Sequence, residues 1–422
     1  MDKKIKVLTI SDHPLSPSGV GTQTRYVIEA LLKTGKFKFI CLGGAMKHRD
    51  YRPAKTEEWG DDWTIFPVDG YGTEDIVRSV IRTERPDILW FMTDPRFYEW
   101  LWGMEHEIRS LIPMIYYHVW DNYPYPKYND KFYKANDFIA AISKVTHDIV
   151  QTVSPEVDSE YVPHSVNTDI FKKLESRDEL REQLLGEETE NRFVIFWNNR
   201  NARRKMTGSI VFWYKEFLDK VGKNNATLVL HTDPSDVHGQ DLGRIIKDLE
   251  LETDQIKISS EKVAPEFLSS MYNAADLTIN ISDAEGFGLA TLESLACETP
   301  IVVNMTGGLQ EQVTDGKNWF GVGIQPSSKA VIGSQQVPYI YEDRVSKEDF
   351  IKALEDMYNL WKDKPEEFEK LGKLGRQHVQ KNYNFESFNE KWVEIMLKLH
   401  KKHGSWANRK NYKTWELIEV KK

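Results

Sequence analysis

Ile279-Asn280-Ile281-Ser282-Asp283-Ala284-Glu285-Gly286-Phe287-Gly288-Leu289-Ala290-Thr291-Leu292-Glu293-Ser294-Leu295-Ala296-Cys297-Glu298-Thr299-Pro300 runs directly into Ile301-Val302-Val303. The β-rich run from Leu277 to Ile281 closes on polar Ser282 and Asp283, which predicts a strand entering a tight loop. Leu289, Leu292, Leu295 and Ala296 then recur at helical spacing until Pro300 stops the helix, and the apolar run after it predicts the next strand. Gly286 and Gly288 stand where the loop enters the helix, so the backbone can turn sharply and approach a ligand there. A helix start offers free N–H groups and the positive end of the helix dipole, which suits a phosphate or diphosphate. Glu285 lies at the loop tip and Glu293 about one and a half turns into the helix. One carboxylate is thereby placed at the mouth and one deep, as a site needs to hydrogen-bond hydroxyls at both ends of an elongated ligand. Either glutamate taken singly reads as a solvated side chain; the spacing, and Thr306-Gly307-Gly308 and Glu311 beyond it, point to a site.

Glu285-Gly286-Phe287-Gly288-Leu289 through Glu293, then Pro300-Ile301-Val302-Val303 and Gly307-Gly308-Leu309-Gln310-Glu311, closely resembles the signature of retaining glycosyltransferases of family four, the "group 1" set. The loop, both glutamates and the later Gly-Gly fall in register, and the resemblance is strongest over residues 193–208 and 272–316. It implies the α/β GT-B fold, two Rossmann-like domains with parallel sheets facing across a cleft. The expected boundaries are an acceptor-side domain over 1–171, a charged linker over 172–191, a nucleotide-sugar-binding domain over 192–385, and over 386–422 a helix crossing back to the first domain plus a basic tail.

A chain of 422 residues is long for one core, and alternating strand and helix patterns in both halves predict two α/β domains. The net charge of −9 gives no general pull toward nucleic acid or an anionic membrane. Cys41 and Cys297 stand far apart in apolar surroundings, which suggests neither a disulfide framework nor a zinc site. The first strand, Ile5 to Ile10, begins too early for a signal peptide, and no apolar run is long enough to span a bilayer, so the expected location is cytoplasmic. The basic, aromatic end of the chain, with Lys401, Lys402, Trp406, Arg409, Lys410 and Trp415, reads first as a packed or solvated tail and otherwise as a contact for an acidic surface or nucleic acid.

Further candidates lie at the ends of other predicted strands. The first strand opens into Ser11-Asp12-His13-Pro14-Leu15-Ser16-Pro17-Ser18-Gly19-Val20-Gly21; in the resembled family a Gly-Gly pair here approaches the donor diphosphate, and this sequence keeps Gly19 but has Ser18 for its partner. His118 ends the strand Met114 to His118, and the resemblance implies a contact with the transferred sugar. The segment from Tyr161 to Phe171 reads as the last strand before the hinge. Phe193 to Trp197 is an apolar strand, followed by Asn198-Asn199-Arg200-Asn201-Ala202-Arg203-Arg204-Lys205, whose cations suit a phosphate clamp, Arg by bidentate chelation and Lys as a point charge. By family spacing Arg200 and Lys205 match the diphosphate-binding pair, with Arg203 or Arg204 as substitutes. Val263 falls in the segment bordering the nucleotide base in that family. Asp61 and Asp62 are adjacent carboxylates in a polar loop, and nothing nearby supplies further metal ligands.

The resemblance implies a retaining, metal-independent glycosyltransferase that takes a sugar from a UDP- or GDP-sugar to a hydroxyl of a glycan, lipid or other glycoconjugate, with the nucleotide sugar as donor substrate and no separate cofactor. Catalytic roles fall to Glu285, His118, Arg200 and Lys205. The donor would be bound by Gly19, Arg200, Lys205, Val263, Gly286, Phe287, Gly288, Leu289 and Glu293. Two other readings are transfer to a modified base in DNA, and a non-catalytic or epimerase-type sugar-nucleotide protein.

Overall fold

The computed structural model describes residues 3–121 and 126–413. The chain divides into two compact units, one formed by residues up to 164 with 334–338 and everything from 386 onward, the other by 165–333 and 339–385.

The first unit holds β1 (Ile5–Asp12), β2 (Phe37–Gly44), β3 (Ala54–Lys55), β4 (Trp63–Pro67), β5 (Ile88–Thr93), β6 (Met114–His118), β7 (Phe138–Ala141) and β8 (Ser159–Tyr161). They form one sheet in the order β3-β4-β2-β1-β5-β6-β7-β8. All neighbours are parallel except β3 against β4. β1 pairs with β5 from Val7 opposite Ile88 to Ile10 opposite Phe91. Every residue of β5 is buried, the continuous apolar run required of a strand covered on both faces. The chain order reverses between β1 and β5, so the loops after their carboxyl ends flank a topological switch point.

The last long helix, Phe385–His403, lies largely in this unit, where Trp392 is fully buried with its ring edge-on to Trp90 and Tyr117 at 5.9 and 4.9 Å. Beyond it the Ser405 hydroxyl donates to Asp87 and the Trp406 indole to the Pro86 carbonyl, each at 2.8 Å. Trp415 lies outside the described residues.

The second unit holds β9 (Phe193–Asn198), β10 (Ala226–His231), β11 (Ile256–Ser259), β12 (Leu277–Asn280), β13 (Ile301–Asn304) and β14 (Gly321–Ile324) in the order β11-β10-β9-β12-β13-β14, all parallel. This repeats the succession of the first sheet's centre, with the reversal now between β9 and β12. Phe193 to Trp197 have no exposed surface, which explains why an apolar run of that length survives in an acidic chain. An antiparallel hairpin of β15 (Ser328–Ile332) and β16 (Ile340–Arg344) is added after the sheet.

Two expectations are corrected. Residues 172–191 are not a linker: they contain the helix Arg177–Leu185, packed into the second unit. Its charge misled because it is spent internally; buried Arg181 donates to the Ala274 carbonyl at 2.9 Å and to Asp276 at 2.8 Å, and Arg177 binds the same carboxylate. The strand expected over 161–171 ends at Tyr161, since Pro163 brings no N–H to a ladder and Phe171 N–H closes a turn onto the Asn167 carbonyl at 2.8 Å.

Candidate functional site

Two loops converge at the switch point of the second unit, one leaving β9 after Asn198 and the other leaving β12 after Asn280. Their backbones are joined directly, the Asp283 N–H donating to the Arg204 carbonyl at 2.8 Å. Across this junction Lys205 forms an ion pair with Glu285, the two side chains being 7% and 13% exposed. The Arg204 guanidinium donates to the Ala284 carbonyl one residue away. Asn280 and Ser282 reach the same Glu285 oxygen, with contacts of 3.4 and 3.5 Å. Burial alone would push the Glu285 carboxyl up, but the Lys205 and Arg204 charges and the donated hydrogen bonds outweigh it and hold its pKa below the ordinary value. Glu285 is therefore a carboxylate at neutral pH.

The glycine loop is seated by the strand that follows. Gly288 caps the helix Leu289–Ala296 with φ near 90°, a left-handed conformation that glycine takes without strain. Gly308 N–H donates to the Glu285 carbonyl at 3.1 Å. A Cβ at Gly308 would lie 2.6 Å from Phe287 Cα and 2.7 Å from the Gly286 carbonyl oxygen, so the Gly307-Gly308 segment must be bare for the two loops to touch. Gln312 donates to the Phe287 carbonyl at 2.7 Å and accepts from Thr291 at 2.6 Å, fixing the loop to its own helix. The Phe287 ring is buried 5.8 Å from that of Tyr383, while Gly286 and Leu289 are half-buried. Glu311 is buried and accepts from the Tyr383 hydroxyl at 3.3 Å.

Glu293 faces a different environment. Its carboxylate accepts from the Tyr272 hydroxyl at 2.9 Å, and that hydroxyl accepts from Asn198 Nδ2, also at 2.9 Å. Desolvation pushes its pKa up to about 7, and the Tyr272 hydrogen bond opposes this only in part. The two glutamates thus differ in charge state at neutral pH because one has cations beside it and the other has none.

Arg200 does not join Lys205: it chelates Asp236 with contacts of 2.6 and 3.1 Å, and its side chain is 61% exposed. Arg203 pairs with Glu342 on β16, which also accepts from Arg344 at 2.6 Å. The same hairpin is tied to the site by the Asp343 N–H, donated to the Asp283 carbonyl at 2.9 Å, and by Thr306, which donates to the Asp343 carboxylate at 2.7 Å. Asp283 itself is buried with its pKa pushed up to about 6 by desolvation, the Arg344 charge opposing. Val263 sits half-buried in the loop between β11 and the helix Pro265–Ala274.

In the first unit, Gly19 opens the helix Gly19–Leu32 behind Ser18, whose hydroxyl accepts the Gly21 N–H and donates to Asp12 at 2.6 Å. His118 is fully buried between two tyrosines, its ring nitrogens 3.1 Å from the Tyr116 hydroxyl and 2.9 Å from that of Tyr133. Desolvation drives its pKa down to about 3, so the ring is neutral, and contact with a sugar would require one of those hydroxyls to be displaced. Asp61 and Asp62 are each paired with a lysine, Lys55 and Lys4.

Sequence reasoning did not find Asn198, Tyr272, Asn280, Ser282, Gln312 or Glu342. Polar residues ending apolar strands, as Asn198 and Asn280 do, were the available signal for two of them. Tyr272 and Glu342 come from distant segments and carry no local mark.

The family model described as "Glycosyl transferases group 1" matches residues 240–373. The D-inositol 3-phosphate glycosyltransferase of Paenarthrobacter aurescens is 34% identical over 119 residues, 28% of this chain and 23% of that protein. That of Corynebacterium jeikeium is 36% identical over 143 residues, 32% of this chain and 33% of that protein. The matches thus span no more than about a third of these relatives' length. Among solved structures, sucrose-phosphate synthase from Thermosynechococcus elongatus superimposes with a TM-score of 0.74 at 16% identity, over 94% of this chain and 100% of that one. HepE from Anabaena, solved in complex with UDP-glucose, gives a TM-score of 0.68 at 16% identity, over 93% and 100%. The two doubly wound units are accordingly those of the GT-B fold.

Proposed function

From a chain whose residues 240–373 match the family model of the group 1 glycosyltransferases, we infer a glycosyltransferase that moves a sugar from a nucleotide diphosphate sugar to an acceptor hydroxyl with retention of anomeric configuration. The observation that carries this reading is the buried Lys205–Glu285 pair at the switch point, with Arg204 beside it and the start of the Leu289–Ala296 helix behind it. Cations fixed in a dry site next to a helix start serve a departing diphosphate better than they serve the fold, since a buried ion pair contributes little net stability.

In this reading Lys205 and the N–H groups after Gly288 neutralise charge growing on the leaving diphosphate. Arg200 joins them by exchanging Asp236 for phosphate oxygens, a small loss because its present ion pair is exposed. Glu285 binds hydroxyls of the transferred sugar and stabilises positive charge at the anomeric carbon. Glu293 accepts hydrogen bonds from the ribose hydroxyls, and the backbone near Val263 borders the base. The acceptor oxygen bonds to the anomeric carbon on the face from which the diphosphate departs, and its proton passes to the leaving phosphate oxygen. Protein cations then fill the place of a divalent metal, so turnover survives EDTA; complete loss in chelator would sink that part.

The test is a thermal-shift panel of UDP, GDP, ADP, CDP and dTDP and their sugars on the wild type and on Glu293→Ala. A ligand at 100 times its Kd adds about 2.7 kcal/mol of stability. Stabilisation by one nucleotide that is lost in the variant supports the donor site; no response from any of them overturns it.

A further inference from the structure

A basic depression of ≈ 600 Å³ lies in the first unit, lined by Lys3, Lys4, Arg85, Lys401, Lys410 and Trp406, with Asp87 as its single acid. Five permanent cations against one carboxylate stand out in a chain whose net charge is −9. The depression sits at the amino ends of β1 and β5, where Ile5 begins one strand and Asp87 precedes the other. The loop carrying Ser18 and Gly19 leaves the opposite end of β1, about 26 Å away along the eight residues of that strand.

Lys4 pairs with Asp62 and Lys3 lies 4.0 Å from Asp87, but the other three cations are not consumed by the fold. Lys398 and Lys402, on the same helix as Lys401, pair with Glu160 and Asp158 at 3.0 and 2.8 Å. Among the described residues Arg85, Lys401 and Lys410 make no side-chain ion pair. The Asp87 carboxylate is engaged elsewhere, accepting from Ser405 at 2.8 Å and from the Lys6 N–H at 3.0 Å, with Lys3 at 4.0 Å.

The wall is also strained. Arg85 and Trp406 both adopt left-handed backbone conformations, with φ of 48° and 54°, although neither is glycine. Their side chains stack, the guanidinium 3.9 Å from the indole centroid, and the indole is pinned by its bond to the Pro86 carbonyl. Stacking occupies the guanidinium face and leaves its edge N–H groups for a bidentate acceptor.

We propose that this depression binds a phosphate-bearing small ligand, its phosphate oxygens chelated by Arg85 and neutralised by Lys401 and Lys410. Its volume falls in the range of small-molecule sites. A soluble phosphorylated metabolite and a phospholipid head group share the required chemistry. The proposal does not depend on the donor reading, since it uses other residues and another end of a sheet.

Glycerol 3-phosphate is titrated into the 422-residue chain by calorimetry, with hydrogen exchange followed over residues 404–410. The same titration is made on Lys401→Glu/Lys410→Glu, whose altered side chains are exposed and leave the core intact, and on Arg85→Gln. Binding with protection of 404–410, weakened about tenfold or more in both variants, is expected. Equal affinity in the double variant, or binding without that protection, overturns the site. Flotation with phosphatidic acid vesicles separates the sources: loss of flotation in the double variant identifies a lipid head group, and glycerol 3-phosphate binding without flotation identifies a soluble metabolite. Flotation without any glycerol 3-phosphate binding leaves only a charged surface and overturns the pocket.

Discussion

At the scale of single residues, the second unit's two glutamates show how environment separates identical side chains. Glu285 is held ionised by Lys205 and Arg204, and removing it strands a buried ammonium. Glu285→Ala is expected to lower stability by about 3–5 kcal/mol in denaturant titration, and to abolish transfer beyond what the stability loss explains. Glu293 carries a pKa raised from 4.5 to about 7, so between those values the native state binds more protons than the unfolded chain. Its contribution is therefore fully present below the unfolded pKa and is lost as pH rises toward the folded one. Glu293→Gln should remove this slope, so that the variant gains on the wild type in melting experiments at alkaline pH and not at acid pH. Hydroxyls donated by a ribose favour the ionised form, and nucleotide binding near neutral pH should release a proton in the wild type alone, measured by calorimetry in buffers of different ionisation enthalpy.

At the scale of elements, the site depends on two loops touching through bare backbone. Gly308→Ala places a methyl group against Phe287 Cα and the Gly286 carbonyl, atoms that belong to the chain itself and cannot rotate away. A loss of about 1–3 kcal/mol is expected, together with loss of the nucleotide thermal shift, because the Glu285–Gly288 loop must move as a body. The helix Arg177–Leu185 makes the complementary point. Its sequence reads as solvated, and only Asp276, with no exposed side-chain surface and also accepting the Val194 N–H at 2.8 Å, reveals why Arg181 is buried. Asp276→Ala leaves Arg181 without its counter-charge and should detach this helix, seen as faster hydrogen exchange over 177–185.

At the scale of the whole molecule, the chain's last helix is structurally part of the first unit although it follows the second in sequence. Trp392, buried against Trp90 and Tyr117, joins it to that core. Trp392→Ala is expected to cost about 3–5 kcal/mol in the calorimetric transition of the first unit. A chain ended at residue 385 should lose that transition altogether while keeping the nucleotide-dependent stabilisation of the second unit, since Glu285, Glu293 and Lys205 all lie within it.

The alternation of strands and helices and the glycine loop were legible in the sequence because they rest on local pattern, whereas the two Rossmann-like domains were implied by the family resemblance. Apolar runs such as Phe193 to Trp197 are buried on both faces whatever surrounds them, and Gly286 and Gly288 mark a strand-to-helix turn by their spacing alone. Glu285 and Glu293 were singled out from their places at the loop tip and in the helix, and Lys205 from the spacing of the resembled family. Which partner each charge takes was decided only by tertiary structure: Lys205 on Glu285, Arg200 on Asp236, Arg203 on Glu342, and Arg181 on Asp276. The same holds for His118, whose neutrality follows from burial between Tyr116 and Tyr133. Hydrophobic periodicity is a property of neighbouring residues, whereas the pairing of charges and the shift of a pKa are properties of groups brought together by folding, as across the 139 positions between Arg203 and Glu342.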